Sequence, residues 1–216
     1  MYKDKLYAFH EGFGQNGQLW FTRGKFDDKG NFKWEDDRNT GFGTTGAPAL
    51  AIFGGKRYCV HLAKGGKPNQ LWWACYNGEK WTTPDTPLGN QRAASTPSAK
   101  GSKEKLYCAY QGAANGEFWY VIYDGTSWTD GNKTAYATYG APALAAYNGM
   151  LHAFHEGYQT ASVGEGASIG TPIVNAINGP RSFKLWYTAA KPEAPSGPLA
   201  WEVFYPGVKT LLKRPG

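Results

Sequence analysis

Three of the four histidines fall at one recurring phrase position, His10, His61 and His155, and Tyr110 fills that place in a further copy. The residue that follows is Glu11, Leu62, Gln111 or Glu156. An imidazole beside a carboxylate can move protons, and the same pair can hold the hydroxyls of a polar ligand. Repetition separates the two uses. A catalytic centre needs reactive groups to converge once, whereas a side chain repeated through an array builds equivalent contacts. One catalytic reading stays open: Glu11 and Glu156, brought to one groove, would supply the two carboxylates about 5–10 Å apart that glycoside hydrolysis requires. The chain holds no His-Glu-x-x-His, no phosphate-cradling glycine loop and no Cys-x-x-Cys. No metal-ligand spacing is present, so no catalytic residue, metal or other cofactor is expected.

These side chains end short aromatic phrases that recur four times. The first phrase reads Lys5-Leu6-Tyr7-Ala8-Phe9-His10-Glu11-Gly12 and returns from Lys56, Lys105 and Met150. A second phrase is Leu19-Trp20, Leu71-Trp72, Phe118-Trp119 and Leu185-Trp186, and a further tryptophan closes each unit: Trp34, Trp81, Trp128 and Trp201. Of the nine tryptophans only Trp73 lies outside the scheme. Self-similarity at a period of 45–51 residues marks a radial β-repeat.

Each inner junction carries a proline phrase: Ala47-Pro48-Ala49-Leu50, Thr96-Pro97-Ser98-Ala99 and Ala141-Pro142-Ala143-Leu144. Each proline precedes the next phrase by 8 residues, and Pro215 stands 14 residues after Trp201 as Pro48 does after Trp34. Proline at a strand's first residue costs little, because its missing donor falls outside the ladder. The spacing predicts an all-β fold, a β-propeller of four blades closed by pairing of the N- and C-terminal segments in one blade. A second chain completing that split strand is the alternative. The whole of 1–216 is expected to be one domain, with units about 1–47, 48–96, 97–141 and 142–216 and an insertion at 158–183 in the last.

Composition agrees with many short turns: 29 glycines and 13 prolines concentrate between the aromatic strands, and Asn77-Gly78, Asp124-Gly125 and Asn148-Gly149 are hairpin dipeptides. No apolar run reaches the 18 residues of a membrane span and no signal-peptide pattern follows Met1, so a cytoplasmic protein, or one released without a classical signal, is expected. Cys59 and Cys108 stand where other units have Ala8 and Ala153, which reads as small buried thiols. The net charge of +6 is spread through the loops, with no basic stripe for nucleic acid.

Sugar rings present apolar C–H faces and equatorial hydroxyls, so aromatic platforms beside Glu, Gln and His suit them. Most tryptophans of such a repeat pack between strands. The closing set is the part expected to reach solvent.

The run from Gly140 to Gly157, with Lys184-Leu185-Trp186-Tyr187-Thr188 and Tyr123-Asp124-Gly125-Thr126-Ser127-Trp128, resembles the hairpin, Leu-Trp-Tyr strand and Asp-Gly…Trp turn of bacterial and fungal β-propeller lectins. The resemblance covers most of the chain and implies a non-enzymatic carbohydrate-binding lectin. It implies several quasi-equivalent sites for glycans of cell-surface glycoconjugates, and homo-oligomers. Carried over position by position, the sugar-binding residues are His10, Glu11, His61, Gln111, His155 and Glu156 with Trp34, Trp81, Trp128 and Trp201. Four blades and the 158–183 insertion depart from that family, and His61 is followed by Leu62-Ala63 instead of Glu-Gly. The other readings are a hemopexin-like four-bladed scaffold binding a protein, ion or small ligand at a central tunnel, and the Glu11–Glu156 glycosidase.

Overall fold

The computed structural model describes residues 5–102, 104–114, 116–157, 184–190 and 201–204. Among these the chain is all β, with four antiparallel sheets taken up in chain order. Sheet 1 holds β1 (Leu6–Glu11), β2 (Gln18–Phe26), β3 (Phe32–Trp34) and β4 (Arg38–Gly43), and both β3 and β4 pair with β2. Sheet 2 runs β5 (Ala49–Phe53), β6 (Lys56–Leu62), β7 (Gln70–Tyr76) and β8 (Trp81–Arg92). Sheet 3 runs β9 (Ser98–Gly101), β10 (Leu106–Gln111), β11 (Glu117–Tyr123) and β12 (Asn132–Ala137). Sheet 4 runs β13 (Ala143–Tyr147), β14 (Met150–Gly157), β15 (Lys184–Ala190) and β16 (Trp201–Phe204). Each sheet is built from strands consecutive in the chain, and the proline phrases open β5, β9 and β13. No helix among the described residues is long and apolar enough to cross a membrane. The insertion at 158–183 and the terminal residues proposed to close the array lie outside the described residues.

The turns follow from local chemistry. Asn148 and Gly149 take φ of 48° and 71°, the left-handed pair a tight hairpin needs. The outer hairpins use a side-chain cap instead: Asp124 Oδ1 accepts from the N–H groups of Thr126 and Ser127, and Asn77 Oδ1 from those of Glu79 and Lys80.

Side-chain alternation distributes the core. Tyr107 and Ala109 of β10 pack with Leu151 and Ala153 of sheet 4. Cys108 and Tyr110 pack with Val60, Leu62 and Leu71 of sheet 2. Because both faces of β10 are covered, its sequence is an unbroken apolar run. Cys59, Cys75 and Cys108 are free and buried, and burial pushes the Cys59 and Cys108 thiols far up.

Successive sheets meet through one repeated contact. The amides of Thr45, Ala94 and Tyr139 donate to the carbonyls of Leu62, Gln111 and Glu156 at 2.8, 2.9 and 2.9 Å. Sheet 1 lacks an inner strand equivalent to β5, β9 and β13 among the described residues, so Leu6 is 43% exposed where Leu106 is fully buried.

Candidate functional site

Alternation along the second strand of each sheet decides where the predicted residues point. Val60 and Leu62 face sheet 3, so His61 between them faces sheet 1. By the same register Tyr110 faces sheet 2 and His155 faces sheet 3, where it stacks on Phe118 at 5.3 Å. Equivalent sequence positions nonetheless have unequal surroundings.

His10 is half-exposed; its Nε2 lies 3.2 Å from Asp37 and its Nδ1 2.9 Å from the Glu11 carbonyl, which raises its pKa. His61 is fully buried, with Nε2 2.9 Å from Asp85. His155 is 2% exposed and neither ring nitrogen has a hydrogen-bond partner. Desolvation lowers its pKa to about 4, and the Ala137 and Glu156 backbone opposes the shift.

Glu11 is an anchor. Its Oε1 accepts from the Gly17 amide at 3.2 Å and its Oε2 from the Gly46 amide at 2.9 Å, tying sheet 1 to the junction with sheet 2. Each oxygen thus accepts one backbone N–H. Glu156 and Gln111 are half-buried at the ends of β14 and β10.

The closing tryptophans differ in exposure. Trp34 is 45% exposed and meets Phe32 edge to face at 4.9 Å. Trp81 is half-buried among Phe9, Phe42 and Tyr76. Trp128 is half-buried against Trp73 and Tyr123 with its indole N–H buried. These two closing tryptophans do packing work, because each sits one hairpin turn from a neighbouring sheet's aromatic side chains. The Trp201 side chain lies outside the described residues.

The position at which polar groups converge is the junction between sheets 2 and 3. A cleft of about 380 Å³ opens there, lined by Asn69, Gln91, Arg92, Tyr110, Ala113 and Trp119 among others. Tyr110 forms its floor, donating its hydroxyl to Gln91 Oε1 at 2.5 Å. Trp119, from the Leu-Trp phrase, is half-buried and forms a wall. Arg92 ends β8 beside a register shift between Gln70 and Trp72, and its carbonyl accepts from the Ala113 amide at 3.1 Å. Asn69 takes φ of 62° where the equivalent positions hold Gly17 and Gly116 at 73° and 68°. Asparagine is among the few side chains that tolerate this conformation, so an amide is placed here where the other units have none.

The same cleft is filled between sheets 1 and 2. Lys64, the equivalent of Ala113, lies across Gly17: a Cβ built there would stand 2.1 Å from Lys64 Cδ. Its Nζ donates to the Asn16 carbonyl at 2.8 Å. Trp119 belongs to the Leu-Trp phrase and also packs against the core, while Arg92, Gln91 and Asn69 lie outside the repeated phrases. The readable signal was the departure from the repeat, Ala113 against Lys64 and Arg92 against Gly43. Among the described residues no group of three or more His, Cys, Asp or Glu could hold a metal ion.

No family model matches the chain, and no curated protein matches it. Among solved structures it is similar to the phage phi92 endosialidase, at 11% identity and a TM-score of 0.40 over 68% of this chain and 30% of that one. It is also similar to a glycosyl hydrolase from Bacteroides ovatus, at 11% identity and a TM-score of 0.40 over 87% of this chain and 67% of that one. The chain spans about a third of the endosialidase's length. At this level neither likeness assigns an activity. The expectation of a lectin with several quasi-equivalent sites is corrected: among the described residues the junctions do not repeat one binding arrangement.

Proposed function

We propose that this chain recognises a saccharide in the one cleft between sheets 2 and 3, as part of a carbohydrate-active β-protein whose four sheets are the blades of a propeller closed through its terminal segments. The observation that carries the reading is the convergence of a half-buried Trp119 with Asn69, Gln91 and Arg92 over a floor held by Tyr110. An indole face takes the apolar side of a pyranose while fixed amide and guanidinium groups take its oxygens, the arrangement of a small-ligand cleft with few, placed polar groups. The three matching junction hydrogen bonds support the blade reading, since one repeated contact rotates each sheet relative to the last by a similar step.

Titration of the full chain with a panel of mono- and disaccharides, followed by tryptophan fluorescence, tests it. A saturable change that Trp119→Ala abolishes and Trp34→Ala retains is the expected outcome. Retention in Trp119→Ala and loss in Trp34→Ala would move the site to sheet 1. Assay of the same samples for new reducing ends reads turnover independently.

A further inference from the structure

The chemistry of the cleft selects among saccharides. Its side chains offer donors in excess of acceptors. Arg92 brings a guanidinium, and Asn69 and Gln91 bring amide N–H groups. The Gln91 carbonyl oxygen is already engaged by the Tyr110 hydroxyl. No aspartate or glutamate lines the cleft. Among the described residues no carboxylate within ion-pair distance engages Arg92. A neutral sugar hydroxyl both donates and accepts, and is served best by sites that pair a carboxylate with an amide. A carboxylate only accepts, and the planar fork of arginine matches it with two parallel bonds.

Arg92 is also built in. Its main chain is fixed by the Ala113 amide, and it stands where sheet 1 has Gly43. At the junction with sheet 1 the cationic group comes from the opposite side, as Lys64, and is consumed by the Asn16 carbonyl within a filled cleft. At the second junction the arginine lines an open space.

We infer that the saccharide bound here carries a carboxylate, as a uronic or a sialic acid does, and that Arg92 receives it while Trp119 carries the ring. The inference rests on the saccharide reading above, and the test separates the two. Full-length protein is titrated with galacturonic acid, its methyl ester, galactose, N-acetylneuraminic acid and acetate, at two salt concentrations. The expected result is at least tenfold tighter binding of one acidic sugar than of galactose and the ester, weakening with salt. Arg92→Gln should erase that preference, and Arg92→Lys should restore part of it. Uronate and sialate arms distinguish the two sources of the carboxylate. Equal binding of acid, ester and galactose overturns the inference and leaves the saccharide reading standing. Acetate competing as well as the acidic sugar also overturns it, since the cleft would then take any anion. No binding of any sugar overturns both. Ala113→Lys, which copies the Lys64 filling, provides a second variant: unchanged acidic-sugar binding in it overturns the site.

Discussion

Two junctions built on the same hydrogen-bond pattern differ in what stands inside them. Between sheets 1 and 2 the floor is His61, buried and paired with Asp85 at 2.9 Å, and Lys64 fills the space above Gly17 and Gly43. Between sheets 2 and 3 the floor is Tyr110, bonded to Gln91, and Ala113 leaves the space open beneath Arg92. The backbone is common to both, with Lys64 and Ala113 each donating to the facing Gly43 or Arg92 carbonyl at 3.2 and 3.1 Å. The difference is therefore a side-chain exchange on a conserved frame: a lysine seals one junction and an alanine opens the other. A third junction adds a contrast in the floor alone, since His155 is buried against Phe118 with no partner for either nitrogen.

The largest way to test this contrast is by pH. His155 holds its folded-state pKa near 4, below the ordinary value of 6.5, so the unfolded chain binds its proton first. Stability from this group is complete above about pH 6.5 and falls as pH drops toward 4, by about 3 kcal/mol in all. Urea unfolding at pH 7 and pH 4.5 should show the loss, and His155→Phe should flatten it. An unchanged slope in His155→Phe would show that the third junction is not the acid-sensitive one.

Next is the floor of the first junction. Asp85→Ala leaves the fully buried His61 without its carboxylate and should cost about 2 kcal/mol in chemical denaturation. The matched change at the half-exposed pair, Asp37→Ala beside His10, should cost no more than about 0.5 kcal/mol. Equal costs would mean that burial does not distinguish the two pairs.

Gln91→Ala should follow, at about 1 kcal/mol, because it strips the Tyr110 hydroxyl of its acceptor in a partly wet cleft. The smallest effect belongs to Lys64→Ala. Its side chain is exposed, so thermal stability should stay within about 0.5 kcal/mol while the first cleft empties. That new space is expected to bind no acidic sugar, since Gly43 stands where Arg92 would be. Binding there would show that shape, and not the guanidinium, selects the ligand.

Much of the architecture was legible before any coordinates. The spacing of the Leu-Tyr and Leu-Trp phrases marked the strands that became β1, β6, β10 and β14 with their partners β2, β7, β11 and β15. The prolines marked the entries to β5, β9 and β13, and Asn148-Gly149 marked a tight turn. The site was less legible. His61 and His155 share a phrase position with His10, yet only these two are buried, each against a preceding sheet, whereas among the described residues no inner strand covers β1. Trp119 was assigned to packing by its place in the repeat, and its exposure depends on the small side chain of Ala113 across the junction.

The sequence by itself determined the number of repeated phrases, the main strands of each, the tight turns and the alternation of faces. These are local consequences of period-two patterning, turn residues and short loops. Tertiary structure alone decided which equivalent positions are sealed and which are open. That outcome depends on pairs such as Lys64 with Gly17, or Arg92 with Ala113, brought from different sheets. Their volumes and charges meet only once the sheets have packed.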